Sequence, residues 1–287
     1  MTTSGPGQTY GGSSVTGGET YQAGHDDSTT AMDASVLSRA ETTPLITEIR
    51  EDLSVFDGIV DKARAIIARY PQSRSALLPM LHLVQSVQGY VSQAGIQFCA
   101  RELELAPAEV SAVATFYTMY KRKPCGEHLV SVCTNTLCAA LGGDEIYQTL
   151  REHLGEPGKP LGHEETAGTP GEPGSITIEH AECLAACDLG PVLQVNYEFY
   201  DNQTPEKAVE LVDALRRGEK PAPTRGAPLT DFKDASLQLA GFFDRESDVE
   251  GPSQAAETLA GAQLAQDRGW TAPAMPANVA FPDLEKK

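Results

Sequence analysis

Four of the six cysteines in this chain fall into two closely spaced pairs. Cys133 and Cys138 are separated by four residues, and Cys183 and Cys187 by three. A [2Fe-2S] cluster contains two irons bridged by two sulfides, and each iron needs two thiolates to complete its tetrahedral coordination. Two short-spaced pairs on separate loops match that requirement, so the spacing indicates a metal-sulfur site.

The spacing leaves three other interpretations open. Structural zinc sites with four thiolates usually repeat a pair with two intervening residues, because a tight turn wraps one small ion, and the wider spacing here favours the cluster. Disulfides are disfavoured because the sequence shows no apolar secretory segment. Ordinary buried cysteines are the third interpretation. We favour it for Cys99 and Cys125, which have no closely spaced partner.

The flanking residues predict how each pair is positioned. A strand over 127–133 is predicted to deliver the first cysteine, and a helix over 138–153 to begin at the second. A strand at 175–180 precedes the second pair, and another at 191–197 follows it. The backbone amides from Thr134 to Leu137 are expected to point at the cluster and to tune its reduction potential.

Charged residues close to the pairs have two possible roles each. Glu182 and Asp188 flank the second pair, where negative charge would lower the reduction potential by disfavouring the added electron. They could equally cap the loop. The basic run Lys121-Arg122-Lys123 could be a docking patch, but a solvated surface is the interpretation we favour.

Upstream of the cysteines, apolar residues recur at helical spacing. The pattern predicts four short amphipathic helices, whose brief connections favour a small bundle over 43–122. The first helix is predicted to end at Tyr70-Pro71 and the second at Gly89. Ser92 is expected to cap the third helix, and Pro107 to open the fourth.

The remaining segments complete the predicted domain organisation. The cysteine domain is predicted to span 123–217 and to end in a helix over 204–217, with a solvated Gly- and Pro-rich insertion at 155–174. Residues 1–42 are predicted to be a disordered tail, because their composition supports no core. Residues 218–287 are predicted to be an extended tail, whose spaced aromatic side chains would suit a strap laid on a partner subunit.

Composition excludes some classes of function. The formal net charge is -18, which disfavours a nucleic-acid partner because such a partner needs a basic face. No run approaches the roughly 20 apolar residues of a membrane helix, so we expect a cytoplasmic chain without direct membrane insertion. There is no nucleotide-binding glycine motif, so we expect no oxidation of NADH by this chain alone and no catalytic residue in it.

Four sequence blocks together resemble one known family. They are Ala114-Thr-Phe-Tyr-Thr-Met-Tyr120, Lys123-Pro-Cys-Gly126, Val132-Cys-Thr-Asn-Thr-Leu-Cys138 and Glu182-Cys-Leu-Ala-Ala-Cys-Asp-Leu-Gly-Pro191. Over roughly residues 45–217 the chain resembles the E subunits of NADH-quinone oxidoreductase, the respiratory complex I. Two departures are Ala185, where the family usually has Gly, and Gly190, where it usually has Ala.

The resemblance implies a fold and a ligand set. The α+β fold would place an N-terminal four-helix bundle before a thioredoxin-like [2Fe-2S] ferredoxin domain, with extended or disordered tails at both ends. The ligands of the [2Fe-2S] cluster would be Cys133, Cys138, Cys183 and Cys187.

The resemblance also implies a role and partners. The cluster would exchange single electrons with the flavin of a partner subunit, which would bind FMN and NADH in place of this chain. Other subunits of the peripheral arm would be further partners, and the chain would lie on the cytoplasmic side of the inner membrane as a peripheral part of the complex. The alternatives are an equivalent subunit of a NAD-linked hydrogenase or formate dehydrogenase, a zinc-stabilised interaction module, and a free-standing ferredoxin.

Overall fold

The computed structural model of this protein describes residues 52–251 and 255–276. The predicted disordered tail over 1–42 therefore lies outside the described residues. Within the described part, no helix is both long enough and apolar enough to cross a membrane. The described residues belong to one unit, so the predicted domain boundary between residues 122 and 123 stays a prediction.

Between residue 52 and the first cysteine pair, the structure shows four α-helices. They are Val60–Ile67 (α1), Leu77–Gln88 (α2), Gln93–Leu103 (α3) and Pro107–Phe116 (α4), with short 3-10 helices at Ser54–Ile59 and Ser73–Ala76. Gly89 follows α2 with φ of 76°, a left-handed conformation that glycine adopts without steric cost. The Ser92 side chain accepts a hydrogen bond from the Gly95 amide and caps α3. Local chemistry at Gly89 and Ser92 thus sets these two boundaries, as predicted, whereas the first helix ends at Ile67, before the predicted Tyr70.

The cysteine region contains a five-stranded sheet with the strand order β2-β3-β1-β4-β5. The strands are His128–Cys133 (β1), Glu165–Ala167 (β2), Ile176–Ala181 (β3), Leu193–Val195 (β4) and Glu198–Tyr200 (β5). β1 and β3 are parallel, and the other neighbouring strands are antiparallel. The sequence predicted β1, β3 and β4. It missed β2, which lies within a Gly- and Pro-rich stretch, and β5, which follows β4 after a turn at residues 196–197.

Two longer helices cover one face of this sheet. They are Gly143–Leu154 (α6) and Pro205–Arg216 (α7). Their apolar side chains form one buried cluster with those of β1, β3 and β4; its members include Ile146, Leu150, Val212, Val130, Ile178 and Leu193. All six residues of β1 are buried, as expected for a strand with both faces covered.

The helix predicted over 138–153 is interrupted. Thr136–Ala140 forms a short helix (α5), and α6 begins only after Gly142, whose φ is 109°. A Cβ atom on Gly143 would lie 2.5 Å from the carbonyl oxygen of Cys133, closer than real Cβ contacts. The chain therefore turns at two glycines, and the turn lets α6 start tightly against β1.

The predicted solvated insertion at 155–174 is wrong for residues 165–167. These residues form β2, which pairs antiparallel with β3 at the edge of the sheet. The hydroxyl oxygens of Thr166 and Thr177 lie 2.7 Å apart in a cross-strand hydrogen bond. The rest of the insertion lies mostly at the surface.

Opposite α6 and α7, a buried polar network joins the sheet to the helices before it. The Ser131 hydroxyl donates to Glu179 over 2.6 Å, and the Lys121 ammonium pairs with the same carboxylate. The Lys121 amide donates to Gln85 on α2 over 2.8 Å. Lys121 is only 3% exposed, so the predicted solvated surface is wrong at this residue. Its partner, Glu179, comes from a distant part of the chain that the local run does not reveal.

The C-terminal segment also departs from the prediction. Residues 232–239 form a helix, Phe232–Leu239 (α8), so the predicted extended tail over 218–287 is wrong there. Phe232 is 1% exposed and packs with Leu129 of β1, and Ser236 accepts a hydrogen bond from Gln85. α8 packs along α2, so among the described residues it joins α1 to α4 in the helical core. The bundle of four stays a prediction.

A last helix, Ala256–Asp267 (α9), has no buried side chain. Trp270 beyond it is 60% exposed, with the Arg268 guanidinium 5.0 Å from its ring centroid. The strap laid on a partner subunit therefore stays a prediction for this part of the tail. An aspartate before α8, Asp231, accepts a hydrogen bond from the Asp234 amide, and this capping pattern is the local signal that could have identified α8.

Replacing Phe232 with Ala should lower the free energy of unfolding by about 3–5 kcal/mol, because the change leaves a cavity between α8 and the sheet. Leu239→Ala is the matched control, since Leu239 lies on the same helix but is 43% exposed. The control should cost under about 1 kcal/mol. Urea unfolding of the full chain measures both values. Equal losses in the two variants would show that α8 is not packed as described.

Candidate metal centre

Both cysteine pairs lie at the C-terminal ends of neighbouring strands of the sheet. Cys133 is the last residue of β1 and stands opposite Ala181, the last residue of β3, so the two parallel strands end together. The Thr134 amide donates to the Ala181 carbonyl over 3.1 Å, and the Asn135 side chain donates to Glu182 over 3.2 Å. These hydrogen bonds hold the two cysteine loops side by side.

The first pair lies in the interior. Cys133 and Cys138 are buried against Ala186 and Val192. Burial raises the pKa of Cys138 to about 11, and the neighbouring Cys133 thiol adds to the shift, while a backbone hydrogen bond from Val192 opposes it. A thiol with so high a pKa stays protonated near neutral pH unless a cation stabilises its thiolate.

The second pair lies at the surface. The sulfur atoms of Cys183 and Cys187 are 3.6 Å apart, and both residues are exposed. The hydrogen bond with Cys183 is the largest cause of a raised pKa at Cys187, and the charge of Asp188 contributes to it. Between the two cysteines, Ala185 has φ of 56°, a left-handed conformation that favours glycine.

The two pairs approach each other. Ala186, next to Cys187 in the chain, packs in the same buried cluster as Cys133 and Cys138. A Cβ atom at Gly190 would lie 3.3 Å from the Cys138 sulfur, so the glycine leaves room beside the inner pair. The structure thus places the two cysteine pairs in neighbouring loops that follow the ends of β1 and β3.

This donor set fits the predicted group. Four thiols, arranged as an inner and an outer pair, offer two thiolates to each iron of a [2Fe-2S] cluster. Among the residues that the structure describes, no three His, Cys, Asp or Glu side chains are grouped around one point as ligands of a single metal ion. The thiols are arranged as two pairs.

The two other cysteines lie in different surroundings. Cys99 is fully buried in the helical core, with its sulfur 3.6 Å from the Met80 carbonyl oxygen. Cys125 packs with Leu129 and Phe232, and burial raises the pKa of its thiol to about 12. Neither shares the apolar cluster that surrounds the inner pair, so we still expect neither to be a ligand.

Two features of the site differ from the prediction or were not anticipated. The Thr134 amide is already bonded to Ala181, so the expectation that it points at the cluster is wrong. The link from Asn135 to Glu182 joins residues 47 positions apart, and no spacing rule in the sequence reveals it. The hydrogen bond that the Glu182 carboxylate accepts thus connects the second cysteine loop to the first.

Comparisons with known proteins identify the family to which this sequence is similar. Residues 63–216 match the family model described as thioredoxin-like [2Fe-2S] ferredoxin. The E subunit of NADH-quinone oxidoreductase from Mycobacterium tuberculosis is 55% identical over 214 residues, which cover 75% of this chain and 81% of that protein. The corresponding E subunit from Rickettsia bellii is 36% identical over 54% of this chain and 89% of that protein.

A eukaryotic relative extends the comparison. The mitochondrial flavoprotein 2 of NADH dehydrogenase [ubiquinone] from Dictyostelium discoideum is 33% identical over 177 residues. The match covers 61% of this chain and 67% of that protein. The likeness thus spans bacterial and mitochondrial oxidoreductase subunits.

Alkylation of the folded, metal-free chain should distinguish the cysteines by exposure. Cys183 and Cys187 should react with iodoacetamide at pH 8 at least about tenfold faster than Cys99 and Cys125, whose burial and raised pKa suppress the reactive thiolate. Mass spectrometry of peptides gives the order of reaction. In urea, where burial is lost, all six should react at similar rates. Fast labelling of Cys99 in the folded chain would contradict the burial described here.

Proposed function

The chain belongs to the thioredoxin-like [2Fe-2S] ferredoxin family, as a homologue of the E subunits of NADH-quinone oxidoreductase, and on that premise we propose that it is the electron-transfer subunit of such a complex. In this proposal Cys133, Cys138, Cys183 and Cys187 hold a [2Fe-2S] cluster. The relatives are named as subunits of oxidoreductases, and the oxidoreductase activity belongs to the assembled complex.

One observation supports the proposal most directly. The ends of the paired strands β1 and β3 carry the two cysteine loops, and hydrogen bonds between Thr134 and Ala181 and between Asn135 and Glu182 fix the loops together. A [2Fe-2S] cluster, when bound, accepts and releases one electron at a time. The chain's own contribution is to position the two cysteine loops beside each other through these hydrogen bonds.

The inner and outer pairs would serve different purposes. Cys133 and Cys138 lie in an apolar environment formed with Ala186 and Val192, which excludes water and strengthens electrostatic interactions. Cys183 and Cys187 are exposed, so a redox partner can approach the cluster from their side. In this arrangement the buried pair would hold the cluster away from water, and the exposed pair would be the side at which electrons are exchanged.

We propose that the partner on this open side is a flavin subunit that binds FMN and NADH. The sequence has no nucleotide-binding glycine motif, so another subunit must receive the hydride. A hydride delivers two electrons together, and this chain would hold one of them while the flavin passes the other on. Further partners would be other peripheral-arm subunits, at the cytoplasmic side of the membrane.

Metal analysis tests the ligand assignment. The natively purified chain should contain about two irons and two acid-labile sulfides, and serine at any of Cys133, Cys138, Cys183 or Cys187 should remove most of its visible absorbance. Cys125→Ser is the matched control and should keep the spectrum, because Cys125 packs with Leu129 instead. One zinc per chain in place of iron would support the zinc-stabilised module. Loss of the spectrum in Cys125→Ser alone would overturn the assignment.

Anaerobic reduction tests the role in electron transfer. NADH should leave the visible spectrum of the isolated chain unchanged, since the chain has no nucleotide-binding motif. Adding the separately purified flavin subunit should allow NADH to bleach it, while dithionite should bleach it in both samples. Reduction by dithionite but not by NADH in the presence of the partner would contradict electron exchange with that flavin.

A further inference from the structure

A helix outside the family domain lies on the exposed cysteine loop. Residues 187–189 form a 3-10 helix that begins at Cys187, and α9 contacts this short helix. The Thr258 hydroxyl on α9 donates a hydrogen bond to the Asp188 carboxylate. The family match ends at residue 216, so this contact is not part of the matched domain.

The contact involves a charge that acts on the site. Asp188 follows Cys187 directly within the same short 3-10 helix, so its carboxylate belongs to the loop that carries the outer cysteines. A charge that disfavours the thiolate also disfavours an added electron on a cluster bound to it, since both place more negative charge beside the carboxylate. The negative charge of Asp188 should therefore lower the reduction potential of a cluster bound to Cys187.

Asp188 and Thr258 both lie at the surface, and the hydrogen bond between them is exposed to solvent. Within the part of the chain that the structure describes, Asp188 forms no ion pair. Hydrogen bonding to Asp201 is the largest cause of a raised pKa at Arg225, and the charge of Asp188 contributes to it. The Arg225 guanidinium donates these hydrogen bonds, of 2.8 and 2.7 Å, to Asp201 instead of Asp188. The hydroxyl of Thr258 is thus the side-chain donor that faces the Asp188 carboxylate.

The same hydrogen bond also ties α9 to the domain. No side chain of α9 is buried, so the helix is not held by a hydrophobic core. An isolated helix of this length is marginal in water. Its contact with residues 187–189 is therefore a polar one, made at the loop that carries the outer cysteines.

We propose that Thr258 is a positioning residue of the electron-transfer site: by donating to Asp188 it offsets part of the carboxylate charge beside Cys187 and raises the reduction potential of a cluster held there. The proposal rests on the proposed function, because it needs a cluster on Cys187. It assigns the C-terminal segment a part in tuning that cluster.

The test is a redox titration of the full chain with its cluster, followed by electron paramagnetic resonance. Thr258→Val removes the donor with little change in shape. The equilibrium constant for reduction should fall about twofold to threefold, because water screens the exposed carboxylate, and threefold corresponds to about 28 mV for a one-electron couple. Thr258→Ser should retain the wild-type midpoint because it keeps the hydroxyl. Gln263→Ala is a control on the same helix, since Gln263 bonds to Asp267 and should leave the midpoint unchanged.

A double variant tests whether the effect passes through Asp188. Asp188→Asn should raise the midpoint, and adding Thr258→Val to it should cause no further change, because no charge remains to be offset. A wild-type midpoint in Thr258→Val, or an equal shift in both backgrounds, would overturn the role of Thr258. A wild-type chain without iron and sulfide would instead refute the proposed function, and these outcomes are distinct.

Discussion

The parallel pairing of β1 with β3 is the constraint on which the site depends. Each cysteine loop starts where one of these strands ends, and the register places Cys133 opposite Ala181. Parallel neighbours need a crossover connection, usually with a helix, and here the crossover contains α6. This requirement accounts for the 44 residues between Cys138 and Cys183. A shift of one residue in register would turn the side chains of one strand to the opposite face and separate the loops.

Coverage of both faces of the sheet keeps these two strands in register. On one side α6 and α7 bury the apolar residues of β1 and β3. On the other side the Lys121–Glu179 pair and the Ser131 hydroxyl connect both strands to the preceding helices, and α8 packs Phe232 against β1. A buried ion pair left with one partner is costly, so this network specifies how the helices meet the sheet. Distant segments therefore contribute to the geometry of the cysteine loops.

The sequence predicted the parts of this structure that local chemistry determines. The end of α2 at Gly89 and the start of α3 after Ser92 follow from the conformational preferences of single residues. The strands that carry the cysteines follow from apolar runs in the sequence. Features that need tertiary partners were missed or wrong: Lys121 is buried by a distant carboxylate, and α8 is stabilised mainly by the surface it covers. The cysteine spacing identified the candidate site, while the ligand role of each cysteine stays a prediction. The contact of Thr258 with Asp188, 70 residues away, had no sequence signal.

The ligand assignment predicts that the loops at the ends of β1 and β3 together hold one two-iron cluster through an inner and an outer cysteine pair. Anomalous diffraction at the iron absorption edge from crystals of the natively purified protein tests it most directly. We expect two adjacent iron peaks, one bound by the sulfur atoms of Cys133 and Cys138 and the other by those of Cys183 and Cys187. A single metal peak shared by all four sulfur atoms, or iron bound at Cys99 or Cys125, would contradict the claim.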